Sequence, residues 1–417
     1  MTTVATCSRL AALPGLALPG RPAGAPPDRL LSPGRLLLAG AEPSRALSLE
    51  EHRRRWPAPA HRSADELAEL ARATGLRGHG GAGFPTAVKL RAMRQPAGPV
   101  VVNASEGEDA SSKDAVLLRH VPHLVLDGAV AAARALRSPR IVVRIAAGRT
   151  AVGAAVREAA AQRPAAEPRI EVSVGPDTLV AGEASAVVNA LAGGPALPAP
   201  LGRPPKLRSG WGRARHVLLS NVETFARLAA ALAGEYAAST LVTISGAVEH
   251  AGVLEVAPDT TVGDVLTTGR PIGRPRVLIT GGWHGRWLPL DDRTLAAGVN
   301  WTGLAEVGGR LGAGVLIFLP EDVCAVTVAG AVADHLAAAS AGQCGPCMAG
   351  LPELARAVHR ADVLERIEAI AADAGRGLCA HPAQAGAAMV SAARLLAGEM
   401  AMHRAGHCSL DNLEGDS

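Results

Sequence analysis

The sequence predicts an α/β chain in three folded parts: a layer of largely parallel strands and helices, a small mixed unit of short strands, and a C-terminal helical bundle. Three observations carry this. Apolar β-runs alternate with helical patterns up to about residue 232. After Tyr236, Gly turns punctuate shorter runs, and from Ala329 helical patterns follow one another with short links. The implied divisions are a poorly ordered leader (1–45), an α/β domain (46–236), a mixed unit (237–328), a bundle (329–405) and a tail (406–417).

Each element has a local reason. The leader is rich in Pro, Gly, Leu and Arg without sustained periodicity. In SADELAELARATG, Ser63 is an N-cap, Leu67, Leu70 and Ala71 share a face, and Gly75 closes the helix. A glycine-rich loop runs into FPTAVKLRAM, where Pro85 suits a first helical turn. Pro99–Asn103 reads as a strand, followed by a polar loop and the helix HLVLDGAVAAARAL. RIVVRIAA and GRTAVGAAVREAAAQ repeat the alternation. A further helix, GEASAVVNALAG, leads through a Pro-rich connector (Pro195 to Pro205) to HVLLSNVETFARLAAALAG, again strand then helix. STLVTISGAVEHAGVLEVAPDTTVGDVL and VLITGGWHGRWLPL form the mixed unit, which ends near VLIFLPEDVCAVTV.

Composition excludes several classes. Of 417 residues only nine are aromatic, and the charge balance is +4, so neither stacking platforms nor a basic stripe for nucleic acid exists. No apolar run reaches the roughly 18 residues of a membrane span, and the segment from Arg9 to Leu18 is too short and broken for a signal peptide. The expectation is a cytoplasmic chain. Six cysteines are too few for a disulfide framework at this length, and in a reducing compartment their clustering points to metal or redox chemistry.

Two motifs suggest a ligand. Gly78-His79-Gly80-Gly81-Ala82-Gly83 offers backbone N–H groups to an anion at a helix start, and Lys89 adds a charged donor. A helix precedes this loop, so an ordinary Rossmann fingerprint does not apply; a tight helix–turn–helix corner fits as well. Asn103-Ala104-Ser105-Glu106-Gly107-Glu108 sits at a strand's carboxyl end, where α/β ligands gather, although a solvated acidic turn has the same composition.

GLRGHGGAGFPTAVKL, NASEGEDASSKD, VAGEASAVVNALAGGPALP, SNVET, SAGQCGPCMAGLPEL and LCAHP occur in one order. Together they resemble the NADH-quinone oxidoreductase flavoprotein family, whose members carry the flavin in the NADH dehydrogenase module of respiratory complex I. The resemblance covers about residues 60–405. It implies a Rossmann-like FMN-binding domain, a β-grasp domain of the soluble-ligand-binding (SLBB) type, and a helical bundle carrying an iron–sulfur site. It further implies that Gly78, Gly80, Gly81 and Lys89 hold the FMN phosphate and ribityl chain, that Asn103 faces the isoalloxazine ring with Glu106 beside it, and that Gly182 and Glu183 lie near the flavin. Asn221 and Thr224 match a phosphate motif, Glu108 an acid on the NADH ribose, and Phe84 an aromatic beside the adenine.

Departures from the family pattern are specific. Ser105 replaces Asp, Ala184 a second Glu, Ser220 an Asn, and Leu179 a Tyr; Ala92 and the connector supply no further adenine-clamping rings. Each stacked ring contributes roughly 0.5–1.5 kcal/mol, so the expectation is intact FMN binding with weakened NADH affinity. In the cysteine motif, Cys344, Cys347 and Cys379 remain, but Ala341 stands where the family has a further Cys. The alternatives are a [4Fe–4S] cluster with Ser340, His381, His403, Cys408 or water as fourth ligand, a [3Fe–4S] cluster, zinc, or nothing. Cys7 and Cys324 are read as incidental, the latter in a β-run, and Trp283 and Trp287 as core of the mixed unit.

Two functions follow. One is an NADH dehydrogenase-like oxidoreductase, passing electrons through FMN to the cluster and on to an iron–sulfur or ferredoxin-like acceptor or a membrane-associated reductase. The other is a degenerate scaffold protein that keeps the fold without turnover.

Overall fold

The computed structural model describes residues 29–410 apart from 32–33, 35, 94, 201–205, 208–214, 237–238 and 409. In the first part, α1 (Leu49–Arg55), α2 (Ala64–Ala73) and α3 (Thr86–Arg91) precede β1 (Val100–Ala104), α4 (Lys113–His120), α5 (Pro122–Ala135), β2 (Arg140–Ala146), α6 (Thr150–Ala161) and β3 (Arg169–Gly175). Then come α7 (Ala184–Leu191), the short β4 (Lys206–Leu207) and β5 (Arg215–His216), β6 (Leu218–Asn221) and α8 (Val222–Leu232). The sheet order is β3-β2-β1-β6 and every pairing is parallel. Period-2 alternation explains its burial on both faces: Val100, Val102, Ile141 and Val143 enter the main core, while Val101, Val142 and Leu219 face a smaller cluster with Val187 and Val188.

Ser63 caps α2 in a reciprocal capping box with Glu66, and Gly75 follows at a φ of +62°, as the sequence pattern predicts. Four expectations are corrected. Part of the leader is packed rather than loose: Leu37 and Leu38 are fully buried, and Glu255 accepts from the amides of Leu36, Leu37 and Leu38. Residues 1–28, including Cys7, lie outside the described residues. The polar loop after β1 contains α4, whose first-turn amides are satisfied by the distant Glu106 carboxylate rather than by a local cap. Strand β3 has no buried residue, with Arg169 and Val174 exposed and the rest half-buried, which is why no apolar run announces it. Pro85 is the N-cap of α3 rather than a residue of its first turn.

The second part holds β7 (Thr240–Gly246), β8 (Gly252–Val256), α9 (Val262–Gly269), β9 (Pro275–Thr280), β10 (Arg286–Pro289), α10 (Asp292–Leu295), α11 (Trp301–Glu306) and β11 (Val315–Pro320). Its mixed sheet runs β10-β9-β11-β7-β8. Alternate residues divide it between two cores. Leu278, Leu316 and Phe318 pack under α9, whereas Ile279, Ile317 and Leu319 face the helical bundle. Trp283 and Trp287 are buried on the bundle side, so the tryptophans serve a core shared by two parts.

The bundle comprises α12 (Ala325–Ala338), α13 (Leu351–His359), α14 (Leu364–Ala374), α15 (His381–Leu395) and α16 (Ala397–Arg404). Cys324 is not in a strand: it is the N-cap of α12. Among the described residues no single helix is long and apolar enough to cross a membrane; α4 and α5 qualify only jointly, and they meet at 95°.

Candidate functional site

The site forms where β1 and β6 end side by side, Asn103 paired in register with Asn221. This is the open end of the parallel sheet, which the strand-end motif anticipates. The glycine loop lies against it: a Cβ on Gly80 would meet the Asn221 side chain at 3.4 Å, and the His79 amide donates to Thr224 Oγ1 at 3.0 Å. Gly81 has a φ of +107°, a backbone conformation that L residues rarely adopt. From the other side the loop is covered by the second part of the chain. Arg310 Nη2 donates to the Gly81 carbonyl at 3.1 Å, and a Cβ on Gly83 would meet Trp301 at 3.1 Å.

Lys89 Nζ donates to the Leu219 carbonyl within β6 (2.9 Å), leaving further ammonium protons, and burial lowers its pKa. Asn103 Nδ2 donates to the Gly182 carbonyl at 2.8 Å. Glu183, the next residue, N-caps α7 by accepting from the amides of Ser185 and Ala186. Thus Gly78, Gly80, Gly81, Lys89, Asn103, Gly182, Asn221 and Thr224 line one strand-end region.

The two remaining carboxylates are turned elsewhere. Glu106 sits at a φ of +41°, a left-handed conformation costing a non-glycine residue about 1–3 kcal/mol. This turn sends its carboxylate to the Asp114 and Ala115 amides and the Ser111 hydroxyl, with Arg149 at 3.6 Å. Burial and then the nearby Asp114 push its pKa up to about 7. Glu108 accepts from the Trp283 amide at 2.8 Å and from the Ala110 amide. Burial, followed by Asp109, raises it to about 8. Glu108 therefore joins the first sheet to the β9–β10 turn. A cavity beside this turn is lined by Glu106, Asp109, Arg149, Thr150, Leu179 and His335.

A buried charge cluster supports the floor and was not visible in the sequence. Lys113 Nζ reaches Glu223 at 2.9 Å, Asp114 at 3.2 Å and Asn221 at 3.3 Å, and Arg227 pairs with Glu223 at 2.8 Å. Burial pulls the Lys113 pKa down, but Asp114 and Glu223 outweigh it and hold the ammonium above its usual range. His79 lies 3.2 Å from Glu223, yet burial, reinforced by Arg227 and Lys113, lowers it to about 3, so it is neutral. The only sequence signal was a Lys-Asp pair opening α4 and an i,i+4 Glu–Arg pair in α8.

Phe84 is 49% exposed and Val88, one turn on, 53%, so the ring is free to meet a planar group. Ala92 is exposed on the same helix end.

In the bundle, Cys344 precedes and Cys347 lies within a π-helical turn, Pro346–Gly350, and Cys379 follows α14. Cys347 and Cys379 are buried, and burial raises both thiols; Cys344 further raises each. Burial also opposes ionisation of Cys344, but hydrogen bonds from the Leu378 and Cys347 amides and the Cys347 thiol leave it below the usual thiol range. The Glu183 carboxylate is close enough to raise Cys379. Three expected fourth ligands are corrected. His381 uses both ring nitrogens, Nε2 to the Leu336 carbonyl and Nδ1 to His284 Nε2. His403 and Cys408 lie instead with Cys324.

Known proteins resemble this chain. The Nuo51 FMN-binding domain matches residues 71–230. The F subunit of the NADH-quinone oxidoreductase of Escherichia coli (strain K12) is 26% identical over 362 residues, spanning 76% of this chain and 80% of that protein. The NADP-reducing hydrogenase subunit HndC of Solidesulfovibrio fructosivorans is 28% identical over 326 residues, 71% of this chain and 65% of its own length. A crystal structure of an NAD+-reducing [NiFe]-hydrogenase in the H2-reduced state superposes with a TM-score of 0.71 at 26% identity, covering 83% of this chain and 63% of that one. An FMN-binding domain of the Nuo51 type thus matches much of the first half of the chain, and along most of its length the chain is similar to F subunits of NADH-quinone oxidoreductases.

Proposed function

We propose that the chain is an electron-transfer flavoprotein, oxidising a reduced nicotinamide nucleotide with FMN and delivering electrons to an iron–sulfur site in the bundle and then to a partner protein. The observation that carries this reading is the Gly182–Glu183 pair. Gly182 accepts a hydrogen bond from Asn103 at the strand end, and the carboxylate of the next residue, Glu183, is near enough to Cys379 to raise its thiol, so adjacent residues border the two regions.

The residues present fit FMN. Gly80 and Gly81 leave a cradle that side chains would fill, Lys89 keeps ammonium protons for a phosphate, and Asn103 retains a second amide proton for a ring carbonyl. FMN, when bound, supplies hydride acceptance and one-electron release. The protein's share is positioning: Asn221, held by Lys113 and Asp114, and Thr224, held by the His79 amide, keep the loop and β6 in register. Phe84 offers one exposed face to the nucleotide base. Cys344, Cys347 and Cys379 would hold three positions of a cluster, with Ser340 or water at the position Ala341 vacates. In this reading the mixed sheet is an SLBB-type β-grasp unit, the helices are the cluster-bearing bundle, and the acceptor is an iron–sulfur or ferredoxin-like protein.

A flavin absorption spectrum and electron paramagnetic resonance of the anaerobically purified, reduced protein test this. Bound flavin plus an iron–sulfur signal is the expected result. A colourless protein that takes up neither group would favour the scaffold reading, for which Ala341 and the internally engaged Glu106 and Glu108 speak.

A further inference from the structure

From the clustering of Cys324, His403 and Cys408 we infer a second metal site in the bundle, separate from the Cys344–Cys347–Cys379 loop and suited to a zinc-class divalent cation. All three side chains are buried, and their ligand atoms lie within 4.8 Å of one another. Cys324 Sγ is 3.3 Å from His403 Nε2. Tetrahedral zinc, with bonds of about 2.3 Å to sulfur and 2.0–2.1 Å to nitrogen, needs ligand atoms roughly 3.5–3.8 Å apart, so only small side-chain adjustments separate this arrangement from a coordination shell.

The elements that present these residues also fit. Cys324 is the N-cap of α12, a helix of 14 residues. His403 is in the last turn of α16 and Cys408 four residues beyond its end. The three therefore come from the junction of β11 with α12 and from the end of the described chain, and an ion between them would tie that end to the bundle core. Two thiolates and an imidazole are a borderline-soft donor set that selects zinc over magnesium or calcium. Three protein ligands leave one tetrahedral position for water.

The three cluster cysteines are arranged differently. Among the described residues they do not form such a compact group, as suits ligands of a multi-iron cluster, where each thiolate sits on its own iron. The two sites are therefore expected to load independently.

The test is metal analysis of the full-length protein, purified under reducing conditions and exchanged with zinc, then freed of loosely bound ion. About one zinc per chain is expected. It should persist in a Cys344→Ser/Cys347→Ser variant and fall to background in Cys324→Ser/Cys408→Ser. Because the latter variant is able to misfold, cobalt(II) is also added to the wild-type protein, where the intense visible bands of a tetrahedral thiolate complex should appear and be bleached by zinc. Absence of both the zinc and the tetrahedral cobalt spectrum in wild-type protein overturns the proposal. So does zinc that disappears with Cys344 and Cys347 but remains without Cys324 and Cys408.

Discussion

The glycine-loop end and the cysteine end of this molecule are built by different means. At the loop, much of the cradle is backbone: glycines at special φ values, a helix start, and amides fixed by Thr224. Exchanging Asp for Ser105 or Asn for Ser220 leaves that backbone in place. In the proposed reading the cysteine loop and the nucleotide clamp depend on side chains, so Ala341 and Ala92 would each withhold a ligand or a ring outright. A site built from main chain tolerates sequence drift that a site built from side chains does not.

The largest effect that would break this contrast concerns the charge cluster under the loop. Lys113→Ala leaves Glu223 and Asp114 without their buried cation and should cost about 3–5 kcal/mol of stability, read by chemical denaturation. A loss below about 1 kcal/mol would show that the loop's floor does not depend on that cation. Next, Gly81→Val places a branched side chain at a φ of +107° and should abolish FMN retention on gel filtration while the far-ultraviolet spectrum is kept. Retained flavin would mean that the cradle is not made by backbone.

Ala341→Cys tests the cysteine end. Restoring the fourth thiolate should raise iron content and convert a three-thiolate signature into that of a [4Fe–4S] cluster by electron paramagnetic resonance. Ala92→Phe, on an exposed helix end, should tighten NADH binding roughly 2- to 12-fold, the value of one stacked ring, and Phe84→Ala should weaken it similarly.

A further prediction is a pH slope. Glu108 ionises near 4.5 when unfolded but at about 8 when folded, because burial disfavours its charge. The folded state thus binds the extra proton, and this group's contribution to stability declines as pH rises from about 4.5 through 8. Glu108→Gln should flatten that decline in thermal melts across the interval. An unchanged slope would reassign it to other groups.

Much of this was legible in the sequence because it is local. Ser63 and Glu66 form their capping box within one turn, the β-runs at 100–104 and 140–146 are apolar on both faces, and the glycine loop announces its own flexibility. What escaped notice is non-local. Helix α4 hides in a polar stretch because its cap, Glu106, comes from a strained turn, not from the preceding residue. The Lys113–Glu223–Arg227 cluster joins residues more than a hundred positions apart. Cys324 and Cys408 look incidental one at a time and acquire meaning only when α12 and α16 meet.

In the proposed reading the backbone-made flavin cradle persists while the side-chain-made nucleotide clamp is reduced. Anaerobic titration of the FMN-loaded protein with NADH, followed by flavin absorbance, tests both halves at once. The account predicts stable FMN binding and complete bleaching, with half-saturation at an NADH concentration that falls when Ala92 is replaced by Phe. A protein that fails to hold FMN, or whose bound flavin is bleached by dithionite but not by any concentration of NADH, would contradict it.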